Sequence, residues 1–174
     1  MKLSVIVPIL FAAASIGCAS YNSNEIEKDP AKTLKADVIG ADGLLGEVTF
    51  KESEDGVSLS FMVRNLPKGT TLASHIHEKN ECAPPSFKSA GGHFNPHQSK
   101  HGSPGAKEHH VGDLGNFEVN ENGILKVEKT YKFLSLDPTS KNYIGSRSLI
   151  IHEQMDKFTQ PTGDAGGRLA CAVL

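Results

Sequence analysis

Tryptophan is absent from this 174-residue chain, and aromatic residues make up only 6% of it. Charge of one sign is also lacking: the formal net charge is −2 and the pI is near 6.4. That balance supplies neither a basic stripe for a nucleic-acid backbone nor a polybasic patch for anionic lipid, so a nucleic-acid partner is excluded. The one long apolar stretch, Leu3 to Ala14, is too short to span a bilayer. No internal repeat and no low-complexity tract occurs. What is present is 17 Gly and 9 Pro scattered without a period, which suits turns between short strands better than a helical bundle. With 38% hydrophobic and 22% charged residues, the chain is long enough for one compact domain and too short for two.

The first eighteen residues have the form of an export signal, with Lys2 as the only charge before the apolar stretch. Ser15-Ile16-Gly17-Cys18 follows, similar to the bacterial lipoprotein signal, in which small residues precede a cysteine that becomes the lipidated first residue. Ser15 stands where that signal usually has Leu, and a plain secretory signal that discards Cys18 is the alternative. Either reading places the mature protein outside the cytoplasm, where disulfides persist. The expected division is a signal peptide over 1–17, Cys18 and a polar tether over 18–33, and one domain over 34–174. A lipid at Cys18 would be the chain's only link to a membrane. Three cysteines in an exported protein leave one over. With Cys18 as the odd one, Cys82 and Cys171 pair across a loop of about 90 residues, which the chain-entropy model values at roughly 4 to 5 kcal/mol.

From Leu34 onward, short runs rich in β-branched and aromatic residues predict an all-β domain, with strands near 34–39, 44–51, 57–65, 71–78, 114–119, 124–133, 148–152 and 169–173. Ala41-Asp42-Gly43, Glu54-Asp55-Gly56, Pro67-Lys68-Gly69 and Glu121-Asn122-Gly123 supply the turns. Residues 79–112 and 153–168 are too long for ordinary hairpin loops, and long loops on a rigid scaffold carry function.

All eight histidines fall between residues 75 and 152. His75 and His77 are two apart in a strand, so both imidazoles point to one face and Ile76 to the other. His101, His110 and Asp113 lie in Gly- and Pro-containing loop sequence that can fold back on itself. Neutral imidazoles suit copper or zinc, and three imidazoles with a carboxylate suit a closed tetrahedral zinc site. Neither spacing nor motif selects His97 or His109.

His75-Ile76-His77-Glu78, Ser89-Ala90-Gly91-Gly92-His93-Phe94-Asn95-Pro96, His101-Gly102, His110-Val111-Gly112-Asp113-Leu114 with Asn116, Ile151-His152-Glu153 and Ala165-Gly166-Gly167-Arg168-Leu169-Ala170-Cys171 together resemble the bacterial copper/zinc superoxide dismutases. The resemblance covers about Leu34 to Leu174 and implies an eight-stranded flattened Greek-key β-barrel with two long functional loops. It implies copper on His75, His77, His93 and His152, and zinc on His93, His101, His110 and Asp113, with the His93 ring bridging both ions and handling a proton in the reaction. It further implies that Asp156 orients His75 and His101, that Arg168 flanks the copper and attracts the superoxide anion, that Thr162 narrows the channel mouth, and that Cys82 pairs with Cys171.

Two features depart from that pattern. Ala73 and Ser74 stand where the family usually has Gly and a bulky aromatic, and the segment from His152 to Arg168 is shorter than in many members. The rival reading is a copper-binding or structural relative of the same fold without dismutase activity. A thiol-based copper carrier is excluded by the absence of a Cys-x-x-Cys pair. Monomer and homodimer both remain open.

Overall fold

The structure, a computed structural model, describes residues 32–174; the export signal, Cys18 and nearly all of the tether lie outside the described residues. Eight strands follow one another: β1 (Thr33–Gly40), β2 (Gly43–Ser53), β3 (Gly56–Val63), β4 (Thr71–His77), β5 (Asp113–Glu118), β6 (Leu125–Tyr131), β7 (Ser148–His152) and β8 (Arg168–Val173). All eight expected strands are found. The third stops short of its expected end because Asn65 adopts a positive φ of 59°, outside the extended region of a regular strand.

The strands form one antiparallel sheet in the order β5-β4-β7-β8-β1-β2-β3-β6. It curls into a nearly closed Greek-key barrel. The two end strands meet at a seam without a ladder, where the buried Tyr131 hydroxyl on β6 donates to the Leu114 carbonyl on β5 at 2.7 Å. Phe61 and Phe117 stack edge to face beneath it, with centroids 5.2 Å apart.

Strict alternation explains the core. On β3, Val57, Leu59, Phe61 and Val63 are buried and the residues between them are not. Strands β4 and β7 are instead buried on both faces. Leu72, Ile76, Leu149 and Ile151 point into the barrel, while Ile150 and Cys171 point outward against Phe87 and Ala90. The long loop over 78–112 therefore lies on the outside of these central strands. The Cys82–Cys171 disulfide rivets it there, with Cα atoms 5.7 Å apart.

Backbone hydrogen bonds finish the attachment: Ile76 N–H donates to Gly112 C=O, Phe94 N–H to Ile76 C=O, and Gly112 N–H to Phe94 C=O, at 2.8, 2.8 and 2.9 Å. Residue 112 must be glycine, since a Cβ there would strike the Ile76 carbonyl oxygen. The stitching places residues 93 and 110–113 beside the end of β4.

Candidate metal centre

His75 and His77 project from the outer face of β4, and His152 from the end of β7. The register shifts opposite two of them: between Ser74 and His75 the pairing skips Leu114 on β5, and between Ile151 and His152 it skips Leu169 on β8. His93, in the loop, pairs as a bridge with His77 and stacks its ring 4.1 Å from that of His75.

Two groups result. His75, His77, His93 and His152 form one; His93, His101, His110 and Asp113 form the other, and in each the potential ligand atoms lie within 4.8 Å of one another. His93 belongs to both. A third cluster, His75, His101 and Asp156, links them from behind.

Hydrogen bonds choose the tautomers. His77 Nδ1 donates to the Gly91 carbonyl at 2.9 Å and His152 Nδ1 to the Gly167 carbonyl at 3.1 Å, since a carbonyl can only accept. His75 Nε2 and His101 Nε2 donate to the Asp156 carboxylate at 2.9 and 3.0 Å. The opposite nitrogens, His77 Nε2, His152 Nε2, His75 Nδ1 and His101 Nδ1, are buried with no hydrogen-bond partner. Buried polar atoms are nearly always satisfied, so four orphaned ring nitrogens beside one shared imidazole are the signature of metal ligands, and the donor set fits copper and zinc.

Electrostatics keep three of the rings neutral. Burial lowers the His93 pKa to about 4 against the raising hydrogen bond with Asp113, and burial with the neighbouring histidines lowers that of His152 to about 3 and His77 further still, so these rings are neutral bases. At Asp113, burial would raise the pKa, but the imidazoles of His101, His110 and His93 gathered around the carboxylate hold it far below its ordinary range. Burial likewise opposes charge on His101, yet the Asp113 and Asp156 carboxylates outweigh it and raise this ring to about 9, so a metal here would take the place of a proton on Nδ1.

Asp113 divides its labour by oxygen. Its Oδ2 accepts from the N–H groups of His110 and Gly102 at 2.8 and 3.1 Å, whereas Oδ1 faces Nδ1 of His101, His93 and His110 at 3.0, 3.1 and 3.3 Å. His101 Nδ1 lies outside hydrogen-bonding geometry despite that distance, as expected if both atoms aim at a common centre.

Arg168, half-buried at the start of β8, donates to the carbonyls of Phe87 and Gly91 at 2.6 and 2.7 Å. The Gly91 oxygen thus receives both Arg168 and His77. Thr162 lies exposed beside the buried Gly163. His97 bonds instead to Asn142 at 2.6 Å, and His109 packs on Phe133 and bonds to the His110 carbonyl; neither enters a metal group.

Gly163 has a φ of +82°, and a Cβ there would collide with Asp156 Oδ1 and stand 2.7 Å from His101 Nε2. Gly163→Ala is therefore expected to displace Asp156 and cost about 1–3 kcal/mol through backbone strain alone. Thermal unfolding checks this, and a wild-type midpoint would refute it. Composition alone gives no sign of this constraint, because glycine in a loop usually serves a turn.

A Greek-key barrel carrying two histidine-rich groups that share one imidazole defines a class of β-barrel protein with two adjoining groups, each able to hold a metal ion. The sequence model of the family described as copper/zinc superoxide dismutase matches residues 44–174. The chain belongs to the copper/zinc superoxide dismutase family. It is 38% identical over 144 residues to superoxide dismutase [Cu-Zn] 2 of Aquifex aeolicus, covering 80% of this chain and 84% of that protein. It is 39% identical over 135 residues to the superoxide dismutase-like protein YojM of Bacillus subtilis, covering 75% and 69% respectively. The crystal structure of a superoxide dismutase-like protein from Bacillus subtilis superposes with a TM-score of 0.75 at 37% identity, over 80% of this chain and 97% of that one.

Proposed function

We propose that this protein is an exported dismutase that converts two superoxide anions and two protons into oxygen and hydrogen peroxide. His75, His77, His93 and His152 would hold copper, and His93, His101, His110 and Asp113 zinc. Copper would supply one-electron exchange between its two oxidation states, and zinc, which has no redox chemistry, would hold geometry. The observation that carries this reading is the set of four orphaned imidazole nitrogens converging on a shared His93.

The chain's own residues supply the rest. Arg168 presents a fixed cation on a protein whose net charge of −2 does not attract an anion. Asp156 holds the rings of His75 and His101 by one carboxylate, so each presents its lone pair in a set direction. His93, shared by both groups, would hold and pass a proton, and Thr162 would narrow access. Superoxide consumption by the purified protein loaded with copper and zinc tests the assignment; a fully loaded protein without turnover would establish the non-catalytic reading, which its likeness to a dismutase-like protein of Bacillus subtilis keeps in view.

The Cys82–Cys171 disulfide supports export to an oxidising compartment. We propose in addition that Cys18 carries a lipid anchor. Cys18→Ser is then expected to move the protein from the membrane fraction to unprocessed precursor or medium. Wild-type protein wholly in the soluble fraction, starting beyond residue 18, would refute the anchor and leave the enzyme assignment intact.

A further inference from the structure

Two carboxamide side chains each grip both backbone polar groups of one residue in the region behind the metal centre. Asn116, on β5, accepts from the Asp156 N–H at 2.7 Å and donates to the Asp156 C=O at 2.9 Å. Gln160, within the loop over 153–168, accepts from the His101 N–H at 3.2 Å and donates to the His101 C=O at 2.8 Å. A carboxamide paired with both groups fixes a residue in rotation as well as position, which one hydrogen bond does not.

The two gripped residues are themselves joined, through Asp156 Oδ1 and His101 Nε2 at 3.0 Å. His101 is thereby held at both ends: Gln160 fixes its backbone and Asp156 fixes the far nitrogen of its ring. With both ends set, the direction of the Nδ1 lone pair is set too. Asn116 in turn fixes Asp156 against β5, a strand anchored in the barrel. Phe158 adds its own N–H to Asp156 Oδ1 at 2.7 Å, and its ring lies against that of His101.

We propose that Asn116 and Gln160 are positioning residues that preset His101 for zinc, making the loop over 153–168 a determinant of zinc affinity although that loop supplies no zinc ligand. This rests on the zinc half of the function proposed above. The physical reason is that a ligand ordered before binding does not lose its freedom on binding, so loosening it appears as lost affinity.

Gln160 is exposed, so its substitution leaves the fold intact. The metal-free protein, as wild type, Gln160→Met and Gln160→Glu, is titrated with zinc against a chromophoric chelator and with cobalt followed by its visible bands. Gln160→Met, similar in size but unable to make either hydrogen bond, is expected to lose about 10-fold in zinc affinity and to change the cobalt spectrum, with metal-free unfolding unaltered. Gln160→Glu keeps the accepting half of the clamp and should lose less. Wild-type zinc affinity and cobalt spectrum in Gln160→Met would overturn the proposal. So would a fall in metal-free stability matching the loss of zinc, which would make Gln160 general scaffold. Failure of the wild type itself to bind zinc or cobalt would instead overturn the zinc assignment on which the proposal stands.

Discussion

Asp113→Ala is expected to lower zinc affinity by more than about 100-fold, beyond what losing a hydrogen-bond partner behind a ligand costs, while copper stays bound. Asp113 supplies the only carboxylate of its group, with Oδ1 placed 3.0 to 3.3 Å from three imidazole nitrogens. A 100-fold loss also removes about 2.7 kcal/mol of zinc-linked stability at saturating metal. The alanine variant carries a second cost, because Oδ2 accepts the N–H groups of His110 and Gly102 and its removal leaves buried donors unpaired, at about 1–3 kcal/mol.

Asp113→Asn separates the two effects. Its carbonyl oxygen can keep those backbone donors, while the amide nitrogen that replaces Oδ1 offers no lone pair to a metal. Both variants should lose zinc, and only the alanine should unfold more readily when metal-free. Elemental analysis and thermal unfolding with and without zinc decide the matter. Equal loss of both metals, or loss of neither, would refute the division of ligands.

Arg168→Glu is expected to slow superoxide turnover on the order of 100-fold and Arg168→Ala about 10-fold, both with copper and zinc still bound, since steering by local charge changes on-rates over that range. Arginine is not a ligand here, and its charge reaches the site: it contributes to lowering His77 and His152, behind the larger effect of burial. The two carbonyls it clamps hold the guanidinium in place, so Arg168→Lys should keep part of the attraction and lose the fixed position. Wild-type rates should fall as salt rises, with less dependence in the alanine variant, because steering is screened over about 10 Å at 0.1 M. Wild-type turnover in fully metallated Arg168→Glu at non-saturating superoxide would remove Arg168 from the mechanism and favour copper storage.

Much of the barrel was legible in the sequence because alternation of burial along a strand is a local property. Val57, Leu59, Phe61 and Val63 announce β3 by themselves, and the Glu54-Asp55-Gly56 turn announces its start. His75 and His77 share a face for the same local reason. The ends of strands were less legible: Asn65 stops β3 through a positive φ that its own residue type permits without requiring.

The sequence by itself determined an all-β domain, the shared face of His75 and His77 and the pairing of Cys82 with Cys171. Tertiary structure alone decided which nitrogen of each imidazole is free. That choice depends on partners distant along the chain, such as Asp156, 81 residues from His75, and Gly91, 14 residues from His77. It also decided the register shifts opposite His75 and His152, the split use of the two Asp113 oxygens, and the grip of Gln160 on His101 across 59 residues. Residue type states what a side chain can donate or accept; only the packing of separate segments states which partner stands within reach, and lone-pair direction follows from that partner.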